Sequence, residues 1–228
     1  MIPMPSQICS QFVSAARTYD RYELIADGII HAIALALGLA GAIILIVLAG
    51  GTTVAVQYSI FIYAFALLAT FGFSAAYNMW PMMRVKWVLR RFDHSAIFVM
   101  IAGTYTPFLA QMKYSFVSIG FLAGVWMTAI IGIALKILLV GRLERTTVVL
   151  YLLLGWSGAL AYKTVAAALP SISLWLLVTG GTLYSIGVIF HSWRRLCFQN
   201  AIWHTFVLVA ACCHYMAVLF SIANMSEA

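Results

Sequence analysis

Ionisable and polar side chains recur at intervals of four residues where apolar stretches of this chain begin or end. Residues four apart share one face of a helix, so each series predicts a polar stripe. The stripes are Glu23, Asp27 and His31; Thr70, Ser74 and Asn78; and Asn200 and His204, with Asp93 opening a further stretch. Two acids and two imidazoles exceed what packing requires, so we expect Asp27, His31, Asp93 and His204 to form a functional site.

Asp93 has two interpretations. It follows two arginines in RRFDHSAIFVMIAGTYTPF, residues 90–108, and precedes an apolar run. A carboxylate in that position is either an N-terminal helix cap, because Asp is a favoured cap, or a functional group that needs a partner within the membrane. The two interpretations are compatible with each other.

The elements that must position these side chains are membrane helices. The chain has 228 residues, of which 64% are hydrophobic and 8% are charged. Soluble domains are roughly 45–50% apolar and about 25% charged, so this composition indicates an integral membrane protein. We therefore attribute the net charge of +7 to basic residues that set the orientation of the protein in the membrane. The sequence shows neither a Gly-rich phosphate loop nor a basic, aromatic surface for nucleic acid.

Seven apolar runs each come near the roughly 20 residues with which a helix crosses a bilayer. They predict one all-α domain, a seven-helix transmembrane bundle over residues 26–223, flanked by short segments at 1–25 and 224–228. The predicted spans are residues 26–49, 58–78, 94–111, 116–139, 147–169, 172–190 and 201–223. Pro107 predicts a bend or an early helix end in the third span.

Basic residues fall almost entirely on one side of this topology. They are Arg17, Arg21, Arg84, Lys86, Arg90, Arg91, Lys136, Arg142, Arg145, Arg194 and Arg195. Only Lys113 and Lys163 lie on or toward the other side. The positive-inside rule therefore predicts a cytoplasmic N-terminus and an outer C-terminus. The polar stripes then lie within roughly two turns of the inner interface, and we expect them to face one cavity that satisfies them.

Several polar residues also have a purely structural interpretation. Thr70 can bond to its own helix, and Glu23 can remain in water. His94, His191 and His214 are expected to be hydrogen-bonded packing residues. The cysteines lack CxxC spacing, so we expect neither a disulfide nor a cysteine metal site.

The motifs together resemble the bacterial haemolysin III family, a branch of the progestin and adipoQ receptor (PAQR) superfamily. The resemblance extends from Tyr22 to Phe220. It lies in the stripe at 23–31, SAAYN at 74–78, FDHSAIFVMIAGTYTPF at 92–108, GWSG at 155–158, YSIGVIF at 184–190 and NAIWHTFVLVAACCHY at 200–215. It implies a seven-helix fold with a cytoplasmic N-terminus, in a bacterial-type inner membrane.

The resemblance also implies a zinc site, from which this sequence departs. The family has SxxxH at the end of the second helix, where this chain reads Ser74 to Asn78. It has HxxxH at the start of the seventh, where this chain reads Asn200 to His204. Because a neutral carboxamide is a poor zinc ligand, we do not expect the family zinc at these positions.

The sequence nevertheless allows zinc as a cofactor at a different set of ligands. In the family, the third-helix Asp that corresponds to Asp93 looks like the holder of a zinc-bound water. A rearranged metal site in this chain would combine His204 with Asp27, His31 and Asp93.

Three functions follow from this resemblance. The first is a non-catalytic membrane protein of lipid homeostasis, with a polar cavity at the inner leaflet. The second is a zinc-dependent lipid amide hydrolase of ceramidase type, in which Asp93 orients water or acts as base and Ser74 polarises the carbonyl. The third is a transporter or cytolytic pore, although we find no inverted repeat or charge ring. Membrane lipids are the expected partners, and the sequence predicts neither the ligand nor the oligomeric state.

Overall fold

The computed structural model describes residues 20–81, 83–112, 116–138, 144–193 and 195–226, and every regular element in these ranges is helical. The elements in chain order are α1 (Arg21–Ala49), α2 (Val54–Met79), α3 (Met83–Ala110), α4 (Phe116–Leu138), α5 (Glu144–Trp156), a 3-10 segment (Ser157–Ala161), α6 (Tyr162–Ala168), α7 (Ser171–Ser192) and α8 (Gln199–Ser226). Among the described residues, five helices are long and apolar enough to cross a membrane: α1, α2, α4, α7 and α8. The predicted class, an all-helical integral membrane protein, is therefore confirmed.

The first helix begins earlier than its apolar run, at a capping box. The Asp20 carboxylate accepts a hydrogen bond from the Arg21 N–H at 2.7 Å, and Glu23 Oε2 accepts one from the Asp20 N–H at 3.2 Å. These bonds satisfy backbone donors that have no partner within the helix. The helix therefore includes Glu23 and Asp27 in its first two turns, and both are buried.

The third helix also begins earlier than predicted, at Met83. Asp93 consequently lies in the third turn, so the interpretation of Asp93 as an N-terminal cap is wrong. Arg91 stacks over the Trp87 ring, with Cζ 3.5 Å from the ring centroid, and this i, i+4 contact supports helix in the basic segment. The helix continues past Pro107 to Ala110, so the alternative of an early end at Pro107 is wrong too.

The predicted fifth span is divided, because a 3-10 segment separates α5 from α6. Tyr105 of α3 supplies partners for backbone groups at this break. Its phenol oxygen accepts from the Gly158 N–H at 2.8 Å, and its O–H donates to the Gly155 carbonyl at 2.7 Å. Backbone groups away from water need such partners wherever helical bonding is interrupted, and the Gly158 N–H is partly buried. A side-chain contact from α3 thus fixes where the helix breaks.

Close packing is concentrated on one side of the bundle. Buried side chains that include Leu45, Ile60, Tyr63 and Val218 form a core between α1, α2, α3 and α8. In contrast, α5 has few contacts with α3, α4 and α7. The helices therefore enclose a chamber of 1670 Å³ between the packed core and α5–α6.

Candidate functional site

The chamber extends along most of α3 and changes in character over its length. It is lined from Lys86 to Leu109, which corresponds to roughly 35 Å of helix. The half near Asp93 is polar, while the half near Leu109 is lined by apolar residues that include Phe108, Val165 and Leu174. The polar end contains all the predicted cavity residues except Glu23: Asp27, His31, Ser74, Asn78, Asp93, Asn200 and His204.

Asp27 is the anchor of the polar end. It is 3% exposed, and its carboxylate Oδ1 lies 2.6 Å from Nδ1 of His204. Its backbone carbonyl lies 2.8 Å from Nδ1 of His31, whose Nδ1 is also 3.6 Å from the same Oδ1. One residue of α1 therefore holds two imidazoles, one on its own helix and one on α8.

These contacts determine which ring nitrogen carries a proton. The Asp27 carbonyl can only accept, so His31 donates to it from Nδ1–H. The carboxylate likewise accepts from Nδ1–H of His204. When the rings are neutral, Nε2 of His31 and of His204 each retain a lone pair that can accept a proton or bind a metal. The two rings meet edge to face, with centroids 4.4 Å apart.

Ser74 joins the second helix to this pair. Its Oγ lies 3.3 Å from Nε2 of His31. The Asn78 side-chain nitrogen donates to the Ser74 carbonyl at 2.9 Å and lies 3.5 Å from Ser74 Oγ. Asp93 of α3 is a further neighbour, with a side-chain hydrogen bond to Ser74 and with Asp27 and His204 among its charged surroundings. The structure thus brings residues of the three predicted stripes together with Asp93.

Glu23 has a different position from the rest of its stripe. Its Oε1 accepts a hydrogen bond from the Phe198 N–H at 2.7 Å, just before α8 begins. Phe198 has φ of 56°, a left-handed conformation that is uncommon for a bulky residue. Glu23 therefore fixes the turn into α8, and it does not line the chamber.

The donor set for a metal differs from the one that the family resemblance implies. Asn78 directs its amide nitrogen at the Ser74 backbone, and both Asn78 and Asn200 carry carboxamides and not imidazoles. These positions do not fit zinc. Asp27, His31 and His204 do offer suitable atoms, which lie within 4.8 Å of one another. Asp93 is not part of that group.

Basic side chains also line the polar end, and the sequence analysis missed them as site residues. They were interpreted as residues that set membrane orientation. The basic residues that line the chamber are Lys86, Arg90, Lys136 and Arg195. The available signal was the spacing of Lys86 and Arg90, four apart on the helix that also carries Asp93. His94, His191 and His214, predicted as packing residues, line the chamber as well.

Comparisons with known proteins agree with this architecture. A family profile described as "Haemolysin-III related" matches residues 23–215. The chain is 36% identical over 201 residues to "Hemolysin-3 homolog" of Bacillus subtilis (strain 168), covering 87% of this chain and 93% of the relative. It is 37% identical over 200 residues to "Hemolysin-3" of Bacillus cereus, covering 87% and 91%.

A more distant relative lies outside bacteria. The chain is 29% identical over 163 residues to "Monocyte to macrophage differentiation factor" of Homo sapiens, covering 69% of this chain and 67% of that protein. No solved structure gives a significant match. The profile covers well over half of the residues, and so the chain belongs to the haemolysin III family, within the progestin and adipoQ receptor superfamily.

Proposed function

We propose that this protein binds a membrane lipid within the chamber and acts in membrane or lipid homeostasis. The observation that carries the proposal is the chamber itself, which is polar at one end and apolar along the rest. Ordinary small-molecule sites have volumes of roughly 300–1,000 Å³, so 1670 Å³ exceeds what a compact solute needs. The shape and lining suit an amphiphile with a long chain.

The two halves of the chamber favour different parts of such a ligand. Each methylene removed from water contributes about 0.8 kcal/mol, so the apolar half favours an acyl chain. Lys86, Arg90 and Arg195 at the polar end favour an anionic or strongly polar headgroup. Asp27 and the two imidazoles that it holds supply further hydrogen-bonding groups there.

The proposal includes a seven-crossing topology in a bacterial-type plasma membrane. Helix α3 has 28 residues, or roughly 42 Å, which is enough to cross a bilayer core of about 30 Å. α5, the 3-10 segment and α6 together run from Glu144 to Ala168 as one interrupted crossing. With these two crossings added to the five long apolar helices, the basic residues favour a cytoplasmic N-terminus.

The test is lipid retention, measured by native mass spectrometry and by extraction of the purified protein. Leu174→Trp places a large side chain on the chamber wall and is expected to reduce bound lipid several-fold. Ile172→Trp is the matched control, since Ile172 is half exposed on the same helix and lies outside the lining. Equal lipid content in both variants and the wild type would overturn the proposal.

A metal-dependent lipid amide hydrolase is the second candidate, favoured by the group Asp27, His31 and His204. Their nitrogen and carboxylate atoms are suitable zinc ligands, and a bound metal would supply an activated water. Elemental analysis of protein purified without a histidine tag or chelator tests this candidate. About one zinc per chain, lost in His204→Gln, supports it; a metal-free wild-type protein excludes it.

A further inference from the structure

Ser74 differs from other hydroxyl residues of the bundle. Helical serines and threonines here commonly donate to a carbonyl of their own helix, as Thr70 does to Ala66 at 2.8 Å and Ser192 to Val188 at 2.9 Å. Such bonds satisfy the hydroxyl and leave it chemically inactive. The Ser74 hydroxyl instead faces three side chains on the chamber wall: His31 and Asn78 lie within 3.5 Å, and Asp93 hydrogen-bonds to it. Its single proton therefore has two acceptors within reach, Nε2 of His31 and the Asp93 carboxylate.

His31 is positioned as a base for that hydroxyl. Its Nε2 lies 3.3 Å from Ser74 Oγ, and its Nδ1–H donates to the Asp27 carbonyl at 2.8 Å. The hydrogen bond at Nδ1 fixes the orientation and the tautomer of the ring, so the lone pair of Nε2 is directed at Ser74. A nucleophile, a base within hydrogen-bonding reach and a third group that orients the base are the parts of a nucleophilic catalyst. Distances slightly above 3.2 Å are common in ligand-free sites.

Asn78 adds a donor at the same place. Its side-chain nitrogen has two hydrogens; one bonds to the Ser74 carbonyl at 2.9 Å, and the nitrogen also donates to Ser74 Oγ in a long bond of 3.5 Å. When Ser74 Oγ bonds to an ester carbon, this second donor becomes available to the adjoining carbonyl oxygen. Amide donors aimed at a developing oxyanion stabilise the transition state. The Asn78 carboxamide, which does not fit zinc, is thus suited to stabilising an oxyanion.

We propose that Ser74 is an acyl-accepting nucleophile, with His31 as its general base, for long-chain acyl esters held in the chamber. The inference rests on the proposed lipid-binding function for its substrate class. Ser74 Oγ bonds to the ester carbonyl carbon while its proton passes to Nε2 of His31. The ester C–O bond then breaks, and the leaving alcohol takes that proton. Water then bonds to the acyl carbon while one of its protons passes to Nε2 of His31; the acyl C–Oγ bond breaks, Ser74 Oγ takes that proton, and the free acid leaves.

The test is covalent labelling of the full chain in nanodiscs with a long-chain alkyl fluorophosphonate, followed by intact mass and peptide mapping. One adduct per chain, mapped to Ser74, is expected in the wild type, with no change after addition of a chelator. Ser74→Ala is expected to abolish the adduct, and His31→Gln to slow labelling by at least about 100-fold. Ser59→Ala is the matched control, because Ser59 lies on the same helix as Ser74 but outside the chamber lining, and its hydroxyl donates to the Val56 carbonyl at 2.6 Å.

A second variant separates chemistry from folding. Ser74→Cys retains a nucleophile of similar size, and an imidazole beside a thiol lowers the pH at which it becomes reactive. Alkylation of Cys at position 74 is therefore expected to have a lower midpoint pH than in the Ser74→Cys/His31→Gln double variant. Identical pH profiles, no adduct on folded wild-type protein, or an adduct retained in Ser74→Ala would each overturn the proposal.

Other outcomes reassign the chemistry. Labelling that is lost in Asp93→Asn but kept in His31→Gln would assign the base to Asp93 and overturn the role of His31. If addition of a chelator abolished labelling, the reaction would depend on a metal ion, and the proposed metal-free attack by Ser74 would be overturned. Lipid content measured on the same samples keeps the two proposals distinct. Bound lipid without an adduct contradicts only the nucleophile, whereas an adduct on lipid-free protein contradicts only the lipid-binding function.

Discussion

Nδ1 of His204 lies 2.6 Å from Oδ1 of Asp27, and this contact joins the last helix of the bundle to the first. Asp27 is buried, and its backbone carbonyl holds His31 as well. A single carboxylate in α1 thus organises the polar end of the chamber.

Loss of either member of this pair is expected to lower stability. Removing one partner of a buried hydrogen bond costs about 1–3 kcal/mol, and more when the remaining group is charged, because that group stays buried without compensation. We expect Asp27→Asn and His204→Gln to be individually destabilising, with a coupling energy of about 1–3 kcal/mol in the double variant. Chemical unfolding in detergent micelles measures the cycle.

A second cycle provides the control for the first. His214 lies about 15 Å further along α8 and bonds to the Leu177 carbonyl. Asp27→Asn combined with His214→Gln is expected to be additive within about 0.5 kcal/mol. Equal coupling in the two cycles would show that Asp27 and His204 have no specific interaction.

Gly132→Ala is expected to destabilise the contact between α3 and α4. A Cβ at position 132 would overlap the ring of Phe98, which is fully buried. Overpacking of this kind costs about 1–3 kcal/mol. Gly124→Ala on the same helix meets no atom within 4 Å, so its stability is expected to be unchanged or raised by less than about 1 kcal/mol. Thermal unfolding of both variants measures the difference, and an equally stable Gly132→Ala would contradict the close approach.

Tyr105→Phe is expected to loosen the interruption between α5 and α6. The variant removes the hydroxyl group whose oxygen accepts from the Gly158 N–H and whose O–H donates to the Gly155 carbonyl. A hydrogen bond of a partly buried group contributes about 0.5–1.5 kcal/mol net, so the Gly158 amide should exchange its hydrogen about two- to tenfold faster. Hydrogen–deuterium exchange measures this. Tyr162→Phe, at an exposed tyrosine, is expected to have no effect, and a protected Gly158 in Tyr105→Phe would contradict the interpretation.

Asn78→His combined with Asn200→His is expected to create zinc binding. Both positions line the chamber with His204, so the double variant would present three imidazoles to one space. Three imidazoles match the ligand set of catalytic zinc sites, and zinc content should rise to about one per chain. Elemental analysis of wild type, both single variants and the double variant measures it. A double variant that remains free of zinc would indicate that the chamber walls are too far apart at these positions.

Much of the polar end was predictable from spacing alone. The four-residue stripes predicted that Asp27, His31, Ser74 and His204 would meet, and they do so within hydrogen-bonding distances. The pairing of atoms was not predictable. Whether Asp27 contacts His204 depends on how α1 and α8 are rotated against each other, and the sequence spacing within each helix carries no such information.

Helix boundaries were less predictable, for identifiable reasons. Charged residues argue against the bilayer core, so the basic segment before Asp93 was interpreted as a loop. The structure extends α3 back through it to Met83, with Arg91 stacked on Trp87. The break after Trp156 depends on Tyr105, which is 53 residues from Gly158 in the chain. No local pattern near the break reveals that partner.

The contact between Asp27 and His204 also has a consequence for biogenesis. The two residues are 177 positions apart, so at roughly 5–20 residues per second His204 leaves the ribosome about 10–35 s after Asp27. During that interval the nascent first helix carries an acid without its final partner. The same helix is the most apolar of the five long apolar helices, which favours its insertion despite that acid. Truncated chains that lack the last helix should therefore insert but remain recognisable to membrane quality-control proteases.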